Sequence, residues 1–365
     1  MNIIAIMMGA FSMIAAIDRI FGSRLGLGSE FDRGFMLLGT MMLSMTGMIT
    51  LSPLLADLLE PALGFVANVL HLDPSIIPAS LFANDMGGAP LAVEVALDRG
   101  MGLYNALVTS SMMGCTVSFT IPYALGAVKK EQHRELLLGL LCGVVTIPIG
   151  CLVAGFMCAL PLPALLLNLL PLVLFAGVIT AGLLLAPELC VKIFGILGKL
   201  ITALITVGLA LGILKFLLGI EPIKGLAPIE EGAAVCLNAT IVMSGAFPLM
   251  YVISRIFAKP LRKLGSLIGV NEHAAVGFIS SLATSATTFG MMEKMDKKGA
   301  LMNAAFATSA AFTFAGHLAF TLAFDPAYLA PMIVGKLAAG LCALALSMLI
   351  YRRLYRENSK QGATL

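Results

Sequence analysis

Asn84 and Asp85 stand side by side in SLFANDMGGAPLAVEVALDRG, a stretch otherwise compatible with lipid, and Gly87, Gly88 and Pro90 follow at once. A carboxylate at membrane depth costs about 2.5–3.5 kcal/mol on insertion scales, so such a group is a site hypothesis by default. Asp85 has the chemistry of a counter-ion for a small organic cation. Asn84 both donates and accepts, which suits a hydroxyl or an ammonium. Gly87 and Gly88 let backbone carbonyls approach a ligand. The competing reading makes Asp85 a cap that accepts the free N–H groups of the following half-helix. One residue can do both.

Further polar residues lie in apolar surroundings. Lys336, in APMIVGKLAAG, either balances a carboxylate, gates, or snorkels. His317, in FTFAGHLAF, is either a proton relay, since imidazole titrates near neutral pH, or a satisfied core histidine. Glu94 faces a cavity or, the favoured reading, reaches the outer interface. Asn105, Ser110 and Ser111, and later Asn303, Thr308 and Ser309, form two matching polar patches. Interhelical hydrogen bonding explains each of these singly; as a pair of patches they gain weight as site walls. Thr284 and Ser285 sit in TSATTFG, a second break in an apolar segment. Metalloprotease, nucleophile-elbow and phosphate-loop patterns are missing. No catalytic residue, metal set or cofactor is therefore expected, and the chain does not read as an enzyme.

The elements that must hold these groups are membrane helices. The chain has 365 residues, 59% hydrophobic and 12% charged, against about 25% charged in a soluble domain. Apolar runs near 20 residues, the length that crosses a hydrocarbon core of about 30 Å, recur throughout. The seven cysteines lie mostly inside these runs, with no CxxC, and read as small hydrophobes. No basic leader and no small-residue cleavage site precede the first run, so no signal peptide is expected. The net charge of +3 carries no nucleic-acid reading.

Short loops rich in Lys and Arg stay cytoplasmic. All but four of the 23 Lys and Arg fall on that side if segments 78–97 and 274–292 each enter and leave on one face. The exceptions are Arg99, Lys215, Lys224 and Lys336. The expected fold is an all-α polytopic membrane protein with about nine full spans and two re-entrant hairpins; the alternative is eleven full spans. The N-terminus is then outside and the C-terminus cytoplasmic.

DRGMGLYNA (Asp98–Ala106) matches DKKGALMNA (Asp296–Ala304) at an offset of 198 positions, and the same offset brings Asp73 onto Asn271. This divides the chain into a first repeat (1–160), a linker helix (161–197), a second repeat (198–350) and a cytoplasmic tail (351–365). The halves start on opposite faces, so the repeats are inverted. Inverted repeats with interrupted helices are a common construction of secondary transporters, with the substrate at the repeat interface.

DMGG, SSMMGCTVSFTIPYALG, KPLRKLGSLIGVN, FGMMEKMDKKG and PMIVGKLAAG run in order over nearly the whole chain. At these residues it resembles the ethanolamine-utilisation membrane transporters, the permease component of bacterial ethanolamine catabolism. The resemblance implies uptake of a small protonated amino alcohol across the bacterial cytoplasmic membrane, by facilitated diffusion or cation-coupled alternating access. Two places depart from that family: Thr284–Thr287 replaces an Asn-rich stretch, and Gly316 replaces an acidic residue before the histidine. Two alternatives stand. One is an ion-coupled carrier of another amine or an amino acid, with Lys336 for its carboxylate. The other is a membrane sensor or partner protein without net transport. The expected partners are ethanolamine or a related amine and the lipid bilayer, with a homodimer as the working expectation for assembly.

Overall fold

The computed structural model describes residues 3–361. The side chains of 3, 4, 62, 191, 254, 257–267 and 355–361 lie outside that description, and with them Lys259, Arg262 and Lys263 of one basic cluster and Arg356 and Lys360 of the tail. The last four tail residues, 362–365, also lie outside it.

The chain is an all-α polytopic membrane protein. Among the described residues six helical stretches are long and apolar enough to cross a bilayer: Leu27–Pro61, Lys130–Met157, Leu162–Leu185, Pro187–Leu218, Ile229–Ile253 and Pro326–Leu354. At 1.5 Å of rise per residue, the 24 residues of Leu162–Leu185 span about 36 Å, enough for a tilted crossing. Pro187–Leu218 is continuous through positions 197 and 198. Where helices cross closely, small residues permit it. A Cβ on Gly150 would lie 2.3 Å from the Gly335 carbonyl oxygen, and one on Gly335 would lie 2.8 Å from that of Gly150. The two backbones therefore pack directly on each other.

Segments 76–94 and 272–294 are not single helices. The first consists of Ile76–Leu81, an extended Phe82 and Ala83, a 3₁₀ turn at Asn84–Met86, and Gly88–Glu94. Gly87 joins the turn to the second arm at φ 87°, the left-handed region that glycine enters without steric cost. The second consists of Glu272–Ala283, an extended Thr284, Ser285–Gly290 and a 3₁₀ turn at Met292–Lys294. All four arms are far shorter than the roughly 20 residues a crossing needs. In each segment the arms pack against one another.

The ends of each segment meet. Asp73 Oδ1 accepts from Ser75 N at 3.0 Å, and Oδ2 accepts from Leu97 N at 3.1 Å and Asp98 N at 3.0 Å. Asn271 N donates to Asp296 Oδ1 at 2.8 Å, and Asn271 Nδ2 donates to the Lys294 carbonyl at 2.8 Å. Asp98 and Asp296 then cap the helices that follow, accepting from Met101 N at 2.7 Å and Gly299 N at 3.3 Å. The pairs 73/98 and 271/296 are thus each bonded, with the accepting carboxylate on Asp73 in the first and on Asp296 in the second.

A third break was not expected. Lys297–Ala310 stops, residues 311–315 form turns, and Gly316–Phe324 starts a new helix. Phe312 stands at φ 62°. Its N–H donates to the Ser281 carbonyl at 3.0 Å, and Phe314 N–H donates to the Leu282 carbonyl at 3.0 Å. The open end of one broken helix therefore satisfies the backbone of the other, which is the condition for irregular chain at membrane depth.

Candidate substrate site

Two serines organise the first break. Ser110 Oγ donates to the Phe82 carbonyl at 2.6 Å, and Ser118 Oγ accepts from Ala83 N at 3.1 Å. Both belong to the wide π-helical stretches Asn105–Gly114 and Thr116–Thr120. With its backbone satisfied this way, the break turns Asp85 outward into a cavity of about 410 Å³.

Asp85 is the one carboxylate among the described residues lining that cavity. Its side chain is 28% exposed, and its Oδ1 lies 3.8 Å from Nε2 of His317, which is 1% exposed. The unexpected break supplies that geometry, because it sets His317 in the first turn of Gly316–Phe324 rather than inside a continuous span. Gly316 lies beside the same carboxylate: a Cβ there would stand 3.5 Å from Asp85 Oδ2. An acidic side chain at 316 would place a second carboxylate in the neighbourhood of the first.

The rest of the wall is mostly apolar and aromatic. Phe312 lies 5.2 Å from the His317 ring and packs edge-on to Phe119 at 5.5 Å. Aromatic faces near a carboxylate favour an organic cation. Thr284, at the second break, also lines the cavity. Across it sits Arg33, whose guanidinium lies 5.1 Å from the Phe247 ring centroid and 3.3 Å from Glu30. Beyond Arg33 a second cavity of about 330 Å³ adjoins the first and shares Arg33, Phe247, Ala283 and Thr284 with it. Glu30 and Thr287 line that outer chamber.

Other residues singled out in the sequence lie elsewhere. Asn105 donates to Ser75 Oγ and Asn168 Oδ1, both at 2.9 Å, in a buried network. Ser111 donates to the Val108 carbonyl at 2.8 Å. Asn303 donates to the Ala274 and Gly299 carbonyls, both at 2.9 Å, and Thr308 to that of Ala304 at 2.8 Å. Gly87 and Gly88 pack against Met48 and the Phe82 carbonyl. Asn84, Ser285 and Ser309 are buried, with side-chain atoms that have no protein partner, and they do not line the cavity. Glu94 is exposed. Lys336 is 1% exposed and donates to the Ser111 carbonyl at 2.6 Å, behind the cavity wall. Among the described residues no group of three or more His, Cys, Asp or Glu could hold a metal.

Sequence reasoning missed Arg33 and Phe247. Arg33 reads as a topology marker beside Arg19 and Arg24, and Phe247 as one apolar residue among many. Only packing of Leu27–Met41 against Ile229–Ile268 brings them to the cavity.

The model of the family described as "Ethanolamine utilisation protein, EutH" matches residues 1–350. The chain belongs to this EutH family. It is 42% identical over 363 residues to a Listeria monocytogenes protein named "Probable ethanolamine permease EutH", covering 100% of this chain and 97% of the relative. It is 39% identical over 387 residues to the Salmonella typhimurium protein of the same name, covering 96% and 95%. A Bacillus subtilis relative, "Uncharacterized protein YxeR", is 35% identical over 342 residues, covering 94% and 92%. No solved structure matches the chain.

Proposed function

We propose that the protein imports ethanolamine or a similar small protonated amino alcohol, with Asp85 as counter-ion of the ammonium. One observation carries this reading: Asp85 is the single carboxylate among the described residues on the wall of a mostly apolar and aromatic cavity, at a helix break. A carboxylate in low dielectric attracts a cation strongly, and Phe119 and Phe312 add cation–π attraction. Thr284, across the cavity, can bond the hydroxyl. Transport is by alternating access, one bundle moving against the other around two re-entrant hairpins in inverted repeats. Short arms and joined ends at Asp73 and Asn271 support the hairpins. The N-terminus is outside and the C-terminus cytoplasmic.

Uptake of labelled ethanolamine into proteoliposomes tests the reading. Asp85→Asn is expected to lower the initial rate at least a hundredfold while the variant stays folded. Uptake by Asp85→Asn at the wild-type rate reduces Asp85 to a capping role.

A second reading rests on Arg33. It lines the same cavity as Asp85, so a zwitterionic amino acid finds a partner at each end. Competition by serine, as well as by ethanolamine analogues, against labelled ethanolamine supports that alternative.

A further inference from the structure

The place proposed for the ammonium is already next to an ionisable partner. His317 Nε2 faces Asp85 Oδ1 at 3.8 Å, too far for a settled hydrogen bond and close enough for charge pairing. Its other ring nitrogen, Nδ1, is buried with no protein partner. The ring is held in place: Phe312 packs at 5.2 Å, and the His317 N–H donates to the Phe312 carbonyl at 3.2 Å.

The other titratable or charged groups around the pair are few. Lys336 approaches from the helix Leu329–Gln361, with its ammonium on the Ser111 carbonyl at 2.6 Å. Cys115 lies on the cavity wall. Arg33 stands across the cavity beside Glu30 at 3.3 Å. A substrate ammonium at Asp85 would therefore join Lys336 and, were His317 protonated, an imidazolium. One carboxylate would then face an ammonium and an imidazolium at once, with the Lys336 ammonium behind the same wall, which is unfavourable where a largely apolar wall screens charge weakly.

We propose that the Asp85–His317 pair makes uptake an exchange, in which each amine cation that binds Asp85 displaces one proton. This deepens the proposed function and rests on Asp85 being the amine site. With the cavity open outward, the ammonium takes the place of the imidazolium proton. The N–H bond breaks, its electron pair stays on the ring nitrogen, and the proton passes to water in the cavity. With the cavity open inward, the ammonium leaves and a proton from the inner solution returns to the pair. No bond of the substrate changes. The site then has the same charge loaded as empty, whichever state Lys336 holds, because one cation replaces another. The net movement is one ammonium in and one proton out.

Three readouts on proteoliposomes test this at acidic external pH, where the neutral amine that crosses bare lipid is scarce. For the wild type, initial ethanolamine uptake should change less than twofold under an inside-negative potassium–valinomycin potential. It should rise several-fold when the lumen is acidified at fixed external pH, since the empty carrier returns with a proton. Trapped pyranine should show the lumen losing one proton per ethanolamine, above the protein-free level. His317→Gln, checked for folding by a thermal melt, should become driven by the potential and lose the response to lumen pH. Uptake by the wild type that follows the potential and ignores lumen pH overturns the exchange and leaves Asp85 as the amine site. A His317→Gln variant that behaves as wild type in both respects also overturns it. Absence of any wild-type uptake overturns the proposed function and the exchange together. The two wild-type readouts decide the matter even if the variant fails to fold.

Discussion

At the scale of single residues, position outweighs type. Asp85 and Lys336 are both charged groups in apolar surroundings, yet only Asp85 reaches the cavity. Lys336 stands behind the cavity wall, its ammonium on the Ser111 carbonyl at 2.6 Å. An ammonium there opposes the binding of a second ammonium. Lys336→Met removes the charge and keeps an unbranched side chain of similar length. Replacing a buried charge by an apolar group is often neutral or stabilising. The expected outcome is a half-saturation concentration for ethanolamine lower by roughly tenfold, about 1.4 kcal/mol, at an unchanged or higher melting temperature. A higher half-saturation concentration would make Lys336 a support of the site instead. The sequence makes the cost of each charge visible and leaves its orientation unstated. Asn105, Asn303 and Ser110 show the same limit. Their residue types suit a ligand, but their bonds go to neighbouring helices and to an open backbone, and those partners are tens of positions away in the chain.

At the scale of elements, the breaks are what the chain has built with most care. Two of them are legible because the local residues announce them: NDMGGAP supplies a turn, a left-handed glycine and a proline, and TSATT supplies a run of hydroxyl residues after an apolar helix. The third, at residues 311–315, has no such announcement in AFTFA. It exists because Ser281 and Leu282 offer carbonyls to Phe312 and Phe314. That is a tertiary cause, and it moves His317 from a helix interior to a cavity. The joined ends are testable apart from function. Asp73 accepts two backbone bonds from residues 97 and 98, and a bond to a charged acceptor contributes more than a neutral one. Asp73→Ala should destabilise the fold by about 2 kcal/mol. Hydrogen exchange should speed up selectively over 76–98, with segment 272–294 unchanged. Equal acceleration in both segments would mean that Asp73 supports the whole bundle rather than one hairpin.

At the scale of the whole molecule, the two adjoining chambers give the protein a direction. Arg33 and Thr287 are exposed and line the outer chamber, and the basic loops predict that this face is cytoplasmic. A cysteine at Thr287 reports on it. Cys158 and Cys342 are the native cysteines that are not buried, so both are first changed to alanine. Thr287→Cys in that background should react with a membrane-impermeant maleimide in inside-out vesicles and stay unlabelled in right-side-out ones. Labelling only in right-side-out vesicles would invert the topology. The all-α membrane character is plain from composition and run length, whereas the number of crossings is not, because the short broken arms are as apolar as spans.

The shared wall of Arg33 and Phe247 has an electrical consequence. Solution that fills the outer chamber ends within one layer of side chains of the cavity that holds Asp85. Water conducts the membrane field poorly as a drop and well as an equipotential, so little voltage falls along a wet vestibule. The voltage falls instead across the dry protein that remains, where an unbalanced charge that crosses it would feel nearly all of it, about 2.3 kcal/mol per 100 mV. Each charge admitted to that region alone must be lifted or dropped through the field.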